Sequence, residues 1–400
     1  MRHLFVTQDF PPDSGGMARR HVELCRHFPP GEIAVSTVAS ADAAEADAAE
    51  HYPIDRQRFD FRGAKLIANQ LRWARALIAG AGSYDVLHCG NVRPVGYAVW
   101  WAAKRTRTPY LVYVNGGDVL RELVKVKGWL KRQAARRIFS DAAGIVANSR
   151  WTATVTEELM RAIRVRRTPP VAAIDLGTDP DHFHPARDTG ALRQRFALGS
   201  GPLLLTVARL VPHKGQDVAI EAFASVASDL PGARYLLIGG GRDRARLEAL
   251  ARSFGIGDKV VFAGMLSDTE IAEAYATATV YVGPSRLDRG VNVEGFGISF
   301  IEAAASGTPS VAGDSGGVRS AVRDGETGFV VAPTDVKAIA GALRTLLTDR
   351  GRREQMGRAA RAAVESHFNW ARVGRETRAF AEQVATPALA ARRTPPASHE

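Results

Sequence analysis

The chain has 400 residues, of which 46% are hydrophobic and 24% charged, and its formal net charge is +11. Because domains usually hold about 100 to 200 residues, this length predicts two domains, and the composition excludes a fibrous or wholly disordered chain. No apolar run reaches the ~18 residues that cross a bilayer. The positive charge favours an anionic partner such as a nucleotide phosphate or a lipid headgroup, although an arginine-rich composition alone would also produce it.

The amino terminus and the cysteines indicate where the protein acts. The apolar stretch at 4–6 is too short for the core of a signal peptide. We therefore expect a cytoplasmic protein, at the inner face of the membrane if its acceptor is a lipid. Cys25 and Cys89 lie in regular segments without metal-ligand spacing, which predicts reduced, buried thiols.

The first half of the chain alternates short apolar runs with helical periodicity. The apolar runs predict strands at 4–8, 33–38, 86–89, 110–114, 144–147 and 172–174. The periodic segments predict helices at 17–28, 65–79, 95–105, 121–139 and 151–163. Strands that alternate with helices predict a parallel sheet covered on both faces.

The second half repeats this pattern after an aperiodic, proline-containing linker at 176–188. Strands are predicted at 203–207, 235–238, 260–263, 280–282, 310–312 and 329–331. The sequence thus predicts an α/β protein of two Rossmann-like, doubly wound domains, 1–185 and 186–362. A helix at 363–385 is expected to pack back on the first domain, followed by a disordered tail at 386–400.

Two glutamates flank a glycine-rich turn in the second domain. Glu294 is predicted to lie in a loop and Glu302 on the helix that begins near Ile298. Gly295 and Gly297 let the backbone approach a ligand closely, and the amides at the start of a helix form an anion site. A phosphate is therefore expected to bind at this turn.

Two cations follow the strand at 203–207. Arg209 presents a planar fork of donors and Lys214 a compact charge, a combination suited to a diphosphate. The glycine turn that begins at Gly239 follows another strand, but Arg244 replaces the last glycine of a dinucleotide fingerprint. NAD binding is therefore disfavoured.

These segments resemble glycosyltransferase family 4. Residues 294–297 and 302–309 are similar to its donor-binding signature, which includes a Glu-x7-Glu pair, and 206–215 resembles its diphosphate-binding loop. The resemblance extends over about residues 4–375 and implies the GT-B architecture, with the two domains facing a central cleft. It also implies retaining transfer of a hexose from a UDP- or GDP-sugar to an acceptor hydroxyl, without a cofactor or an obligatory metal.

The resemblance also assigns roles to individual residues. Arg209 and Lys214 would neutralise the leaving diphosphate, while Glu294 would hold the donor sugar and Glu302 the ribose. The implied donor-binding set is Gly16, Arg209, Lys214, Gly239, Met265, Leu266, Gly295, Phe296, Gly297, Ile298 and Glu302.

Four residues that follow strands of the first domain are expected near the donor sugar or the acceptor: His88, Asn91, Asn115 and Gly116. Many members of the family carry His where this chain has Asn115. An amide keeps a hydrogen bond to a sugar hydroxyl but does not exchange protons near neutral pH.

The acceptor is expected to be a carbohydrate or a lipid-linked group. Residues 121–137 contain seven basic side chains and one acidic side chain. They predict a basic amphipathic helix that binds anionic lipid, or one whose apolar face packs into the core and whose charges are solvated. The segment 285–295 is similar to that of bacterial mannosyltransferases that act on phosphatidylinositol mannosides.

Two other functions remain open at this stage. A sugar-nucleotide 2-epimerase shares the architecture and the donor, but the Glu-x7-Glu pair argues against it. A non-catalytic module that binds a sugar nucleotide or nucleic acid is supported only by the charge, and no nucleic-acid-binding motif accompanies it. Nucleic acid is therefore not expected as a partner.

Overall fold

The chain divides into two compact units. A computed structural model describes residues 1–13, 15–58 and 66–393. The first unit comprises Met1–Ile174 with Trp370–Glu400, and the second comprises Asp175–Asn369. The division thus precedes the predicted boundary at 185/186, and the segment predicted as a linker belongs to the second unit.

The first unit is built on a parallel sheet. Its strands among the described residues are β1 (His3–Val6), β2 (Ile33–Val38), β3 (Ile54–Gln57), β4 (Val86–Cys89), β5 (Tyr110–Val114), β6 (Gly144–Ala147) and β7 (Val171–Ala173). They pair in the order β3-β2-β1-β4-β5-β6-β7, and every pairing is parallel. The central strands β1, β4, β5 and β6 are buried along their whole length, as expected for a parallel sheet.

Helices connect these strands. They are α1 (Gly16–Arg26), α2 (Ala43–Ala48), α3 (Leu66–Gly80), α4 (Val95–Thr106), α5 (Gly117–Lys125), α6 (Trp129–Asp141) and α7 (Arg150–Ala162). The single helix predicted at 121–139 is wrong, because the chain turns between α5 and α6. Gly128 caps α6 in an extended conformation, which a continuous helix would not allow.

The second unit repeats the architecture. Its strands are β8 (Leu203–Val207), β9 (Arg234–Ile238), β10 (Val260–Gly264), β11 (Val280–Gly283), β12 (Ser310–Gly313) and β13 (Gly328–Val331). Its helices are α8 (Ala191–Arg195), α9 (Gln216–Ala227), α10 (Arg244–Ser253), α11 (Asp268–Thr277), α12 (Ile298–Ala305), α13 (Val318–Ala321), α14 (Val336–Thr348) and α15 (Arg350–Ser366). The strand order is β10-β9-β8-β11-β12-β13. The predicted class, α/β with two doubly wound domains, is confirmed.

Each sheet reverses its winding direction at one pair of neighbours. The reversal falls between β1 and β4 in the first unit and between β8 and β11 in the second. Ligands of such folds bind beyond the carboxyl ends of the strands at this point. The loops after β8 and β11, together with the helix α12, hold most of the predicted donor residues.

The last helix, α16 (Trp370–Arg393), belongs to the first unit. A side chain at Gly144 of β6 would come within 2.8 Å of the Phe380 ring, so the two segments pack closely. The helix continues through Pro387 into the predicted tail, and 394–400 lie outside the described residues. Within the described ranges, none of the helices combines the length and hydropathy of a membrane span.

Candidate active site

The loop after β8 brings the two predicted cations to the carboxyl edge of the second sheet. A 3-10 turn at Pro212–Lys214 ends at Gly215, whose φ is 73°. A Cβ on Gly215 would lie 2.1 Å from the carbonyl oxygen of Pro284. Only glycine therefore lets the β8 loop approach the β11 loop this closely.

The β11 loop supplies the partner of Lys214. Lys214 Nζ donates a hydrogen bond to Glu294 Oε2, and both side chains are largely buried. The carbonyl of Glu294 accepts from the Gly317 amide at 2.9 Å. The β8 loop therefore holds the side chain of Glu294, and the β12 loop holds its backbone.

Arg209 differs from Lys214 in its surroundings. Its carbonyl accepts from Gln216 Nε2 at 3.0 Å, which fixes the backbone. Its side chain is exposed, and the guanidinium has no hydrogen bond or ion pair with any described residue. Lys214 is therefore paired with a carboxylate, whereas Arg209 has all its donors available to a ligand.

The helix α12 begins beside this pair. Its N-cap, Gly297, has φ 100°, and a Cβ there would clash with the Phe300 ring at 2.5 Å. The first amides of a helix have no partner within it and favour an anion. Phe296, predicted to bind donor, is buried and packs edge-on against the Phe368 ring, so only its backbone is available.

Glu302 lies on the buried face of α12. Its Oε2 accepts a hydrogen bond from Tyr275 Oη at 2.8 Å. Tyr275 comes from α11, a helix that the sequence did not connect with this site. The second glutamate of the pair is therefore held by a side chain that spacing alone could not identify.

The glycine turn after β9 packs against the β8 loop, backbone to backbone. A Cβ on Gly239 would lie 2.1 Å from the Ala208 carbonyl oxygen, and one on Gly241 2.2 Å from that of Leu210. Met265, in the next loop, is largely exposed, and Leu266 is half-buried. These loops form one continuous edge with Arg209.

An ion pair that the sequence did not predict supports the β8 and β11 loops. Arg286 donates to both carboxylate oxygens of Asp217, at 2.9 and 2.8 Å. Burial alone would raise the pKa of Asp217, but the bonds and charge of Arg286 outweigh it and lower that pKa. Burial, then the charge of Lys214, lowers the pKa of His213 to about 4, so its imidazole is neutral at pH 7.

His88 does not lie at the edge of the first sheet. It is fully buried inside β4, where its Nε2 is 2.8 Å from His3 Nδ1 and its Nδ1 is 2.8 Å from Tyr113 Oη. Burial, followed by the His3 charge, holds its pKa well below 6.5. The prediction that His88 contacts substrate is wrong, because alternation along the strand points it into the core.

The other first-unit candidates do lie at the carboxyl ends of strands. Asn91 follows β4 and donates to Asp9 Oδ2 at 3.2 Å, and burial raises the pKa of that carboxyl. Asn115 follows β5, and Gly116 caps α5 with φ 88°. Gly16 opens α1 and is exposed.

Among the described residues, no group of three or more His, Cys, Asp or Glu side chains could hold a metal ion. Both cysteines are free and buried.

Comparison with known proteins identifies the class that this fold and site define. Residues 189–363 match the model "Glycosyl transferases group 1", and residues 14–180 match "Glycosyltransferase Family 4". The GDP-mannose-dependent alpha-(1-6)-phosphatidylinositol monomannoside mannosyltransferase of Mycolicibacterium smegmatis is 31% identical over 376 residues, which cover 92% of this chain and 94% of that one.

Solved structures share the fold. Anabaena HepE in complex with UDP-glucose has a TM-score of 0.77 at 20% identity, covering 96% of this chain and all of that one. Sucrose-phosphate synthase from Thermosynechococcus elongatus also has a TM-score of 0.77, at 23% identity, covering 96% and 99%. The protein is thus a glycosyltransferase of GT-B fold. It belongs to glycosyltransferase family 4, which confirms the predicted resemblance.

Proposed function

We propose that the chain transfers a hexose, with retention of configuration, from a nucleoside diphosphate sugar to a hydroxyl of a lipid-linked acceptor. The mycobacterial relative is named for GDP-mannose and phosphatidylinositol monomannoside. Its similarity extends over nearly the whole of both chains, so these two compounds are the first substrates to test. The observation that carries the proposal is the placement of Arg209 and Lys214 beside the start of α12.

The donor diphosphate would be held by these cations and the first amides of α12. Lys214 already bonds to Glu294, so its charge is held in place before the donor arrives. Arg209 is free to form a forked pair with phosphate oxygens. Two cations and a helix terminus supply the charge that a divalent metal supplies elsewhere, so we propose that none is required.

The reaction would proceed on one face of the sugar. The bond between the anomeric carbon and the β-phosphate oxygen breaks as the acceptor oxygen bonds to that carbon. The acceptor proton passes to the departing phosphate, which serves as the base. Arg209 and Lys214 would stabilise the negative charge that develops on the diphosphate, and this stabilisation is the main source of rate in such sites.

The remaining contacts would orient the donor. Glu294 would accept hydrogen bonds from the sugar hydroxyls, and Glu302 from the ribose, within reach of its Tyr275 partner. The nucleobase would lie against the edge formed by Gly239 and Met265. A side chain in place of Gly239 would block the nucleobase from this edge.

We also propose a membrane contact at the α5–α6 tip, defined as residues 121–132. Val124, Trp129 and Leu130 are 52%, 69% and 74% exposed there. Lys127 and Lys131 stand among them and are exposed as well. Exposed aromatic and aliphatic side chains beside lysines suit the headgroup region of an anionic bilayer. This tip replaces the continuous amphipathic helix expected from the sequence and fits action at the cytoplasmic face.

A thermal-shift panel tests the donor assignment. GDP-mannose is expected to raise Tm more than UDP-glucose, ADP-glucose or a CMP-sugar, because ligand that binds the folded state stabilises it. The Arg209→Ala variant should lose most of the shift. If no nucleotide sugar changes Tm in the wild type, the donor site is misassigned.

A further inference from the structure

A cavity lies at the amino edge of the first sheet, opposite the carboxyl edge that carries Asn91 and Asn115. It has a volume of about 580 Å³ and lies where α4 and α6 end and β5 and β6 begin. Its wall includes Ala103, Pro109 and Tyr110, which are all buried. This volume is in the range of sites that bind small molecules. The proposed transfer reaction uses none of the residues that line the cavity.

Basic side chains surround this cavity. Among the lining residues the cations are Lys104, Arg107, Arg166 and Arg167, and the carboxylate is Asp141. All five side chains are exposed. Asp141 accepts a hydrogen bond from Trp100 Nε1 at 2.8 Å and lies 3.5 Å from Lys104 Nζ. Because the one carboxylate already faces a lysine, the three arginines give the cavity a net positive charge that favours an anion.

Arg107 has an unusual backbone conformation for an arginine. It follows the last residue of α4 with φ 56° and ψ 24°, in the left-handed region that glycine adopts without steric cost. Its side chain is exposed, and its guanidinium has no hydrogen bond or ion pair with any described residue. An internal contact therefore does not account for an arginine at this strained position, whereas an anion in the cavity would.

Apolar side chains beside the cavity indicate a lipid surface as the source of the anion. Trp101, on α4, is 44% exposed and lies one turn before Lys104. Leu130, Arg137 and Asp141 follow one another along α6 at seven- and four-residue spacing, so they share one face of that helix. The face of α6 that ends at the cavity therefore begins at the α5–α6 tip.

We propose that this cavity binds the phosphate of an anionic phospholipid that is not a substrate of the transfer reaction. The forked donors of the arginines match phosphate oxygens, and the glycerol and first acyl carbons of the lipid lie against the apolar wall. The identity of the anion rests on the membrane contact under the proposed function. The site itself is separate from the carboxyl edge of the sheet, and its tests do not need transfer activity.

A titration with dihexanoyl phosphatidylglycerol measures binding at the cavity directly. This short-chain lipid is soluble and lacks the inositol of the proposed acceptor. Arg107→Gly removes one cation and relieves the left-handed backbone, so we expect Kd to rise about tenfold while Tm stays equal or rises. Arg166→Gln, which keeps the backbone bond to Ser140 Oγ, should also raise Kd about tenfold. Calorimetry on the full chain measures both constants, and a wild type that does not bind this lipid would overturn the proposal.

Arg164→Gly is the matched control for Arg107→Gly. Arg164 also follows a helix, α7, in the left-handed region with φ 54°, and it is exposed, but it does not line the cavity. Its substitution removes the same charge and relieves the same backbone conformation. This variant should bind the short-chain lipid like the wild type. An equal rise in Kd in both variants would indicate general attraction to a basic surface and would refute a site at the cavity.

Two soluble anions distinguish a lipid from free phosphate as the ligand. Glycerol phosphate and inorganic phosphate should bind at least about tenfold more weakly than dihexanoyl phosphatidylglycerol, because neither covers the apolar wall. Either anion binding as tightly as the lipid would overturn the assignment to a phospholipid.

Two further measurements separate this site from the proposed function. Trp129→Ser with Leu130→Ser should keep the Kd for the short-chain lipid, because binding in the cavity needs no insertion into a bilayer. Loss of this binding would place the lipid site at the α5–α6 tip instead. Arg107→Gly should keep the kcat of transfer to an acceptor in detergent micelles. If the wild type transfers no sugar, the proposed function fails, and the lipid titration still decides the cavity.

Discussion

At the scale of single residues, the two cations after β8 have different surroundings. Lys214 is paired with Glu294, whereas Arg209 has no partner among the described side chains. Removing Lys214 leaves a largely buried carboxylate unpaired, which costs stability as well as charge. Removing Arg209 leaves nothing uncompensated. Removal of Lys214 and removal of Arg209 should therefore lower catalysis to a similar degree but change the stability of the fold by different amounts.

We predict that Arg209→Ala and Lys214→Ala each lower kcat/KM by about 100-fold or more, as when one donor to a developing anion is lost. Only Lys214→Ala should also lower Tm. Steady-state kinetics and calorimetry on the same samples measure both effects. Arg252→Ala, at the exposed end of α10, should change neither. Normal turnover in Arg209→Ala would remove it from the site.

At the scale of elements, the glycine turns determine how closely the loops of the second unit pack. Gly239 and Gly255 both have positive φ, 127° and 69°. A Cβ would meet the Ala208 carbonyl at the first position and open space at the second. Substitution by alanine at both positions therefore distinguishes the cost of a steric clash from the cost of backbone strain.

Gly239→Ala should therefore destabilise the protein by more than about 2 kcal/mol and weaken donor binding, since the β8 loop must shift. Gly255→Ala should cost only about 1 kcal/mol, the price of an alanine in the left-handed region. Chemical denaturation measures both. Equal costs would mean that the close approach to Ala208 does not constrain the loop.

The α5–α6 tip gives a second prediction at this scale. Trp129→Ser with Leu130→Ser should abolish most sedimentation with vesicles that contain anionic lipid, because the inserted apolar area is lost. Phe254→Ser, at an exposed site of the second unit, is the control and should sediment like the wild type. Binding that survives the double substitution would place the membrane contact elsewhere.

At the scale of the whole molecule, the sequence predicted the alternation of strands and helices because apolar runs and turns are local. It missed β3, whose residues Ile54–Gln57 are mostly polar, since an edge strand needs little apolar surface. The sequence-based prediction placed His88 at the site because the position of a residue along a strand does not show whether its side chain is buried in the core. Two further contacts join residues that are distant in sequence: Tyr275 with Glu302, and Arg20 with Asn115. A single sequence does not show which distant residues meet.

Three buried histidines of the first unit, His3, His21 and His88, make folding sensitive to acid. Burial, as the largest cause, lowers the pKa of His3 to about 4 and of His21 to about 3, and holds that of His88 well below 6.5. Below pH 6.5 the unfolded chain binds protons that the folded chain does not. Stability should thus be full above this pH and fall towards pH 5, by about 1.4 kcal/mol per pH unit for each histidine. Denaturation at pH 7, 6 and 5 measures this slope, and equal stabilities would contradict it.

The most direct test of the central claim is a transfer assay with the full chain. We predict that GDP-mannose labelled in the sugar gives labelled phosphatidylinositol dimannoside from the monomannoside in anionic vesicles, without added metal. The new linkage should have the α configuration of the donor, by NMR of the product. Arg209→Ala should give about 100-fold less product. Wild-type enzyme that transfers sugar from no nucleotide sugar, or product formed equally well without Arg209, would contradict the account.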